Sequence, residues 1–456
     1  MKAARLATLA AALLLVFSGN VFAAGSAAAG QTFLWLAIIL ALARLASLVD
    51  KLGIPGVLGE MVLGVVLGNL SLIGFVFFEK IGDDPIIAVF AELGVVILLF
   101  QIGLETTVAD LRQVGARALA VALIGVVAPF VLGMYAIGPL LMPEASAHAR
   151  LFVAATLCAT SVGITGRVFR DAKRLDSPEA RIVLGAAVID DVLGLVILAV
   201  VSGFVQSGTV SAGEIGMIVI KAFGFLAGAV VIGRAIAPRL SHALATLNPE
   251  MPMKLTLLLS VGLGLAWAAH HMGLAPIIGA FAAGVLLEPL FLKDFNAPEI
   301  VRQLEPYANC LPAKEAESFR ATLDQHAGRH HEQILEPLGH FLVPVFFVYT
   351  GMQVRIETML DPKVMAVALG VTAVAILGKV ISGIAAGSAN RWIVGFGMVP
   401  RGEVGLIFAA IGKALGVVDD TLFSVIVAMV ILTTLVTPPV LGVLLKRQAR
   451  REAGIT

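Results

Sequence analysis

Arg181-Ile-Val-Leu-Gly-Ala-Ala-Val-Ile-Asp-Asp-Val-Leu-Gly-Leu-Val-Ile-Leu-Ala-Val-Val201 is long and apolar enough to cross a bilayer as one helix, yet Asp190 and Asp191 sit near its middle. A carboxylate at the centre of a spanning helix costs on the order of 2.5–3.5 kcal/mol on insertion scales, so intramembrane acids are functional by default. Neighbouring residues on a helix project about 100° apart, and the pair cannot face one partner together. One aspartate can meet a fixed counter-charge while the other looks into a cavity, an arrangement suited to binding and releasing small cations. The plainer alternative is that both only pin helices together by hydrogen bonds.

The rest of the chain agrees with a bilayer setting. Of 456 residues, 59% are hydrophobic and 14% charged, and apolar runs of bilayer length recur along the sequence. This is an all-α polytopic membrane protein, because only helices or closed barrels satisfy the backbone in lipid. The net charge of +1 and the lack of a basic run point away from nucleic acid as a partner. Cys158 and Cys310 imply neither a disulfide framework nor a zinc site, and no cofactor is expected. Lys2 and Arg5, the apolar Leu6–Phe17 and then Val21-Phe22-Ala23 read as a signal peptide over residues 1–23; an uncleaved extra helix is the alternative. Cleavage would leave residues 24–456, starting outside the cytoplasm.

About thirteen spans follow, at 31–49, 54–73, 86–104, 116–140, 149–171, 181–205, 213–236, 254–272, 274–291, 334–352, 363–387, 391–414 and 420–445. An outside start and thirteen crossings put the C-terminus in the cytoplasm. The basic residues agree: Arg167, Arg170, Lys173, Arg174, Arg234, Arg239, Lys446, Arg447, Arg450 and Arg451 fall in the expected inner segments. The polar stretch 292–333, with His326, His330 and His331, reads as a cytoplasmic loop insertion; a metal- or pH-sensing element is the sharper reading, but the spacing fits no ligand set.

The two halves echo each other. Gly53, Gly59 and Gly64 recur as Gly273, Gly279 and Gly284; Phe100-Gln-Ile-Gly-Leu finds its counterpart in Val348-Tyr-Thr-Gly-Met. Ser161-Val-Gly-Ile matches Glu403-Val-Gly-Leu, and the aspartate segment matches Ile431-Leu-Thr-Thr-Leu-Val. Residues 31–206 thus form a first repeat and 254–445 a second, with 213–236 as a linker helix. An odd number of spans between them inverts the second copy, a transporter signature that places the site at the midplane.

Two matched spans look interrupted. Thr160-Ser-Val-Gly-Ile-Thr-Gly166 and Pro400-Arg-Gly-Glu-Val-Gly405 put glycine, proline and polar side chains at mid-depth. Such breaks survive there only inside protein or beside a wet cavity, where half-helix ends and freed carbonyls can serve an ion; ordinary small-residue packing is the alternative. Lys379 is the one basic residue deep in its span, roughly eight residues or about 12 Å from the nearer end, too far to snorkel comfortably. Its natural partner is one of the aspartates. In low-dielectric surroundings a proton and a hard monovalent cation would compete for a carboxylate, and holding one at a time makes their exchange obligatory. Loss of a proton from Lys379 during the cycle would make that exchange electrogenic.

With these residues in view, the chain resembles the monovalent cation:proton antiporter-2 family, and within it the NapA-like bacterial sodium/proton antiporters. The resemblance spans about residues 31–445 and is carried by Pro55-Gly-Val-Leu-Gly-Glu60, Glu92-Leu-Gly, Gly103-Leu-Glu105, Ala159-Thr-Ser-Val-Gly-Ile-Thr165, Val188-Ile-Asp-Asp-Val192, Pro344-Val-Phe-Phe-Val, Lys379 and Pro400-Arg-Gly-Glu-Val-Gly405. It implies a homodimer in the bacterial inner membrane. Spans one to three and eight to ten would form a dimer scaffold, the others a mobile core around two crossed broken helices. Asp191 would bind cation and proton, Asp190 would pair with Lys379, Thr160 and Ser161 would line the break, and Arg401 with Glu403 would stabilise it. Glu60, Glu92 and Glu105 would serve the interface or a funnel. Potassium-efflux relatives usually carry Gln-Asp and a C-terminal nucleotide-binding domain, and neither is expected here. The expected cargo is Na+, with Li+ or K+ open, and a K+/H+ antiporter is the runner-up. An intramembrane aspartyl protease needs two facing carboxylates that share a proton, which adjacent residues cannot provide; an ion channel would need a filter or charge ring. The chain is therefore not expected to be an enzyme.

Overall fold

The computed structural model describes residues 27–52, 55–82, 84–105, 115–175, 177–207, 212–287, 295–296, 299–310, 312–328 and 330–452. The leader over 1–23 lies outside them, as do the side chains of Glu105, His326, His330 and His331. Every regular element among the described residues is helical. Among the described residues, nine helices are long and apolar enough to cross a membrane. They include α1 (Ala27–Ala46), α3 (Pro85–Glu105) and α4 (Ala116–Val131, helical on to Leu141). They continue with α7 (Pro178–Ser207), α8 (Ala212–Leu247) and α9 (Met251–His271). The set closes with α12 (His330–Met352), α13 (Pro362–Ser382) and α16 (Asp420–Glu452). Two shorter apolar helices are α2 (Gly56–Gly68) and α10 (Pro276–Leu286).

The two expected spans with mid-depth glycines are each split. The first is α5 (Ala147–Thr156) and α6 (Val162–Asp171); the second is α14 (Arg391–Gly397) and α15 (Glu403–Ala414). In α4, Pro129 offers no N–H to the ladder, and a π-helical segment follows over Leu132–Ile137. Two helices run past the limits that hydropathy gives: α8 reaches Leu247 and α16 reaches Glu452. The strongest apolar run ends where charges begin, but the backbone ladder continues past it. Arg174 Nη2 donates to Glu452 at 2.6 Å and ties down the last turn of α16. Within 292–333, the helix-favouring Ala, Glu, Arg and Leu of Ala313–Gly328 form α11.

Packing sorts the helices into two sets. α1, α2, α3, α9, α10 and α12 pack on one another; so do α4, α5, α6, α7, α13, α14, α15 and α16. α8 touches α7 on one side and α9 and α10 on the other. The first set is closed by glycines. A Cβ on Gly64 would lie 2.9 Å from Gly351 Cα, and one on Gly103 would lie 3.0 Å from Gly284 Cα, so α2 meets α12 and α3 meets α10 backbone to backbone.

Between the sets runs a seam with cavities at two levels of α15. Near its start a cavity of about 160 Å³ is bounded by Leu58 and Met61 of α2 and by Ser161, Gly402, Glu403 and Thr434. Pro55 and Ile164 also line a larger cavity of about 470 Å³, whose walls carry Arg167, Arg174 and Lys446. Along the later turns of α15 a third cavity of about 400 Å³ is bordered by Glu92, Tyr349, Gln353 and Lys413. Arg167 of α6 forms an ion pair with Asp50 across the seam and donates to the Asp50 carbonyl at 2.8 Å.

Candidate ion-exchange site

Where the two interrupted spans meet, each break satisfies the other. Ser161 N–H donates to the Pro400 carbonyl at 2.8 Å, Thr160 Oγ1 to the Met398 carbonyl at 3.2 Å and Thr165 Oγ1 to the Gly397 carbonyl at 2.6 Å. Arg401, fully buried, donates to the carbonyls of Ala159, of Leu157 at 2.5 Å and of Ala375 at 3.2 Å. Helix breaks leave carbonyls without intrahelical partners, and a planar guanidinium with five N–H groups can serve several at once. The α16 residue Thr434 donates to the Arg401 carbonyl from the position the repeat matches to Asp191.

Gly402 makes the crossing possible. A Cβ there would come within 2.7 Å of Ser161 Oγ and 2.8 Å of Ser161 Cβ. Gly402→Ala is therefore expected to push the two breaks apart and cut exchange at least tenfold, with thermal stability lowered by about 1–3 kcal/mol, the usual range for overpacking. Flux in proteoliposomes beside a thermal-shift assay checks this; wild-type values in both would show that the contact relaxes without consequence.

Below the crossing lies the charged centre. Lys379 Nζ donates to Asp190 Oδ1 at 2.8 Å, and both side chains are fully shielded. The other carboxylate oxygen, Asp190 Oδ2, is buried without a hydrogen-bond partner among the described residues. α13 also packs tightly on α4, where a Cβ on Gly378 would come within 2.6 Å of Pro129 Cα. Gly125 of α4 lies along the lysine stem.

Asp191 departs from Asp190 as the 100° step requires. It is half-buried, forms none of the ion pairs seen among the described residues, and lies within electrostatic reach of Asp190, Glu403 and Lys379. Glu403, also half-buried, opens α15 and accepts a hydrogen bond from Ser161 Oγ at 3.3 Å. Thus Asp190, Lys379, Thr160 and Arg401 form a buried, bonded layer, while Asp191 and Glu403 sit in a looser one. The cavity near the start of α15 is lined by Ser161 and Glu403, and Asp191 is not among its walls. Arg401 and Glu403 do not pair with each other; the arginine is occupied by backbone carbonyls and the glutamate by Ser161.

Sequence reading did not find Cys158, which lies in the first break with its thiol 3.4 Å from the Val126 carbonyl, nor Thr165 and Thr434 as clamps of the crossing. Thr434 had a usable signal in its place in the repeat, and Thr165 in its place within the interrupted span.

Comparison with known proteins returns one family. A family model described as sodium/hydrogen exchanger, transmembrane, matches residues 36–447. The high-affinity Na+/H+ antiporter NhaS3 of Synechocystis is 34% identical, covering 88% of this chain and 87% of that protein. The Na+/H+-K+ antiporter GerN of Bacillus cereus is 32% identical, covering 90% and 95%. Among solved structures, the sodium proton antiporter MjNhaP1 of Methanocaldococcus jannaschii aligns with a TM-score of 0.61 at 18% identity, over 92% of this chain and 98% of that one, a likeness of fold.

Proposed function

The chain belongs to the sodium/hydrogen exchanger family, and from that premise we propose that it exchanges Na+ for protons across the bilayer at Asp191. The observation that carries this is the division of labour within one dipeptide. Asp190 is bonded to Lys379 in full burial, whereas its neighbour is left half-buried without an ion pair beside two crossed helix breaks. A carboxylate kept from a fixed ammonium can alternate between a proton and a hard cation, with Ser161, Thr160 and nearby carbonyls as the available oxygen donors.

In this reading Lys379 leaves Asp190 during the cycle and carries part of the charge movement, so exchange is electrogenic. The two packing sets act as a scaffold and a moving core, with thirteen spans in two inverted repeats. The glycine contacts support the repeat: Gly64 matches Gly284 and Gly103 matches Gly351 in sequence, and the contact Gly64–Gly351 recurs as Gly284–Gly103. The first set would present the homodimer face. The C-terminus would lie in the cytoplasm of a bacterial inner membrane.

A K+/H+ exchange reading stays second, favoured by the potassium in the name of the GerN relative. Purified protein in proteoliposomes decides between them. Proton efflux driven by Na+, voltage-sensitive and much weaker with K+, is the expected outcome; equal responses to both cations favour the second reading, and no response to either sinks both.

A further inference from the structure

We propose that the basic-walled cavity between α6 and α16 binds an anionic phospholipid, its phosphate held at Lys446 and Arg174 and its chains on the apolar floor. Residues 421–445 of α16 carry no charge, about 37 Å of helix at 1.5 Å per residue, against a hydrocarbon core of about 30 Å. That run covers the core with little to spare, so Lys446 stands at the level of the headgroups. The α16 residues that border the cavity, Pro438, Gly442, Leu445, Lys446 and Ala449, share one face of the helix. Over about 16 Å that face passes from the oily layer to the polar one, as a phospholipid does.

Charge and shape select the occupant. Of the three cations in the walls, Arg167 is answered by Asp50 and Arg174 by Glu452, while Lys446 forms none of the ion pairs among the described residues. Three cations against two carboxylates leave one positive charge, the complement of a single phosphodiester. Arg174 gives Nη2 to Glu452, and a guanidinium has five N–H groups in all. A free phosphate would match the charge but not the space. The cavity of about 470 Å³ has room for roughly fifteen waters at ~30 Å³ each, and its floor of Ile164, Val168 and Leu445 offers a bare anion nothing to bond. Hydrocarbon satisfies that floor, and there is room for it: a Cβ on Gly442 would meet nothing within 4 Å. Pro55, at the start of α2, forms the opposite wall, so a lipid seated here touches both packing sets. Arg447, Arg450 and Arg451 add to the positive field at this end of α16. Basic pockets between transmembrane helices on the cytoplasmic side are where acidic headgroups bind.

The test titrates the purified full chain in neutral detergent with short-chain phosphatidylglycerol and follows the first lipid bound by native mass spectrometry. Phosphatidylcholine of the same chain length is expected to bind about fivefold more weakly, the weight of one charge at a lipid surface. Glycerol 3-phosphate, a headgroup without chains, should not displace the lipid at equal concentration. Lys446→Gln should weaken phosphatidylglycerol binding about fivefold, and Lys446→Arg should restore it. Gly442→Leu fills the floor without meeting a neighbour and should weaken binding of the lipid at least as much. Equal binding of the two lipids overturns the charge match. Displacement by glycerol 3-phosphate overturns the lipid in favour of a free anion. Wild-type binding in both Lys446→Gln and Gly442→Leu overturns the site, because the lipid then sits elsewhere, such as a face between two copies of the chain. If Gly442→Leu does not fold, Lys446→Gln and Lys446→Arg carry the test, and wild-type binding in Lys446→Gln overturns the site. None of these readouts depends on exchange at Asp191.

Discussion

Asp191→Asn is expected to reduce cation-dependent proton movement in everted vesicles to the level of vesicles without the protein, while the thermal midpoint stays near wild type. The first half follows from the chemistry: asparagine keeps the shape but can neither take up a proton nor offer a full negative charge to a desolvated cation. The second follows from the surroundings, because Asp191 forms no described ion pair and is only half-buried. Full exchange by Asp191→Asn would remove this residue from its role and leave Glu403 as the carboxylate to examine next.

Lys379→Met should act the other way round, on stability first. It strands Asp190 in full burial, with one oxygen already lacking a partner. Removing one member of a buried ion pair typically costs about 3–5 kcal/mol, because the remaining charge is uncompensated. A large drop in thermal midpoint is expected, and Asp190→Asn in the same protein should recover most of it, since the stranded charge is then gone. The double variant would also lose voltage sensitivity if Lys379 moves charge during the cycle. A single variant as stable as wild type would mean that water or a cation already shares the burden of Asp190.

Much of this arrangement can be read from the chain. The apolar runs located the helices because lipid leaves the backbone no alternative to local hydrogen bonding. Glycine and proline at mid-depth located both interruptions for the same reason. That Lys379 needs one of the two aspartates was legible because an ammonium so far from either interface needs an anion; the choice of Asp190 came from the resemblance. The resemblance gave Arg401 the task of stabilising the break, but not how it does so. The guanidinium donates to carbonyls of the other break, more than two hundred positions away in the chain. Those acceptors are backbone atoms, so no residue type advertises them. The seam cavities were hidden as well, since they depend on which helix faces the two sets leave in contact. The continuation of α8 and α16 past the expected limits was missed because hydropathy measures preference for oil, not hydrogen bonding.

The backbone-to-backbone contacts of α2 with α12 and of α3 with α10 have a further consequence. Helices that touch through Cα atoms cannot change their crossing angle by reshuffling side chains, so a thicker or thinner bilayer cannot be met by tilting them individually. The mismatch would pass instead to the looser boundary beside α15. Turnover of this protein should then vary with the acyl length of the lipids around it, more steeply than in carriers whose fixed half is held together by bulky side chains.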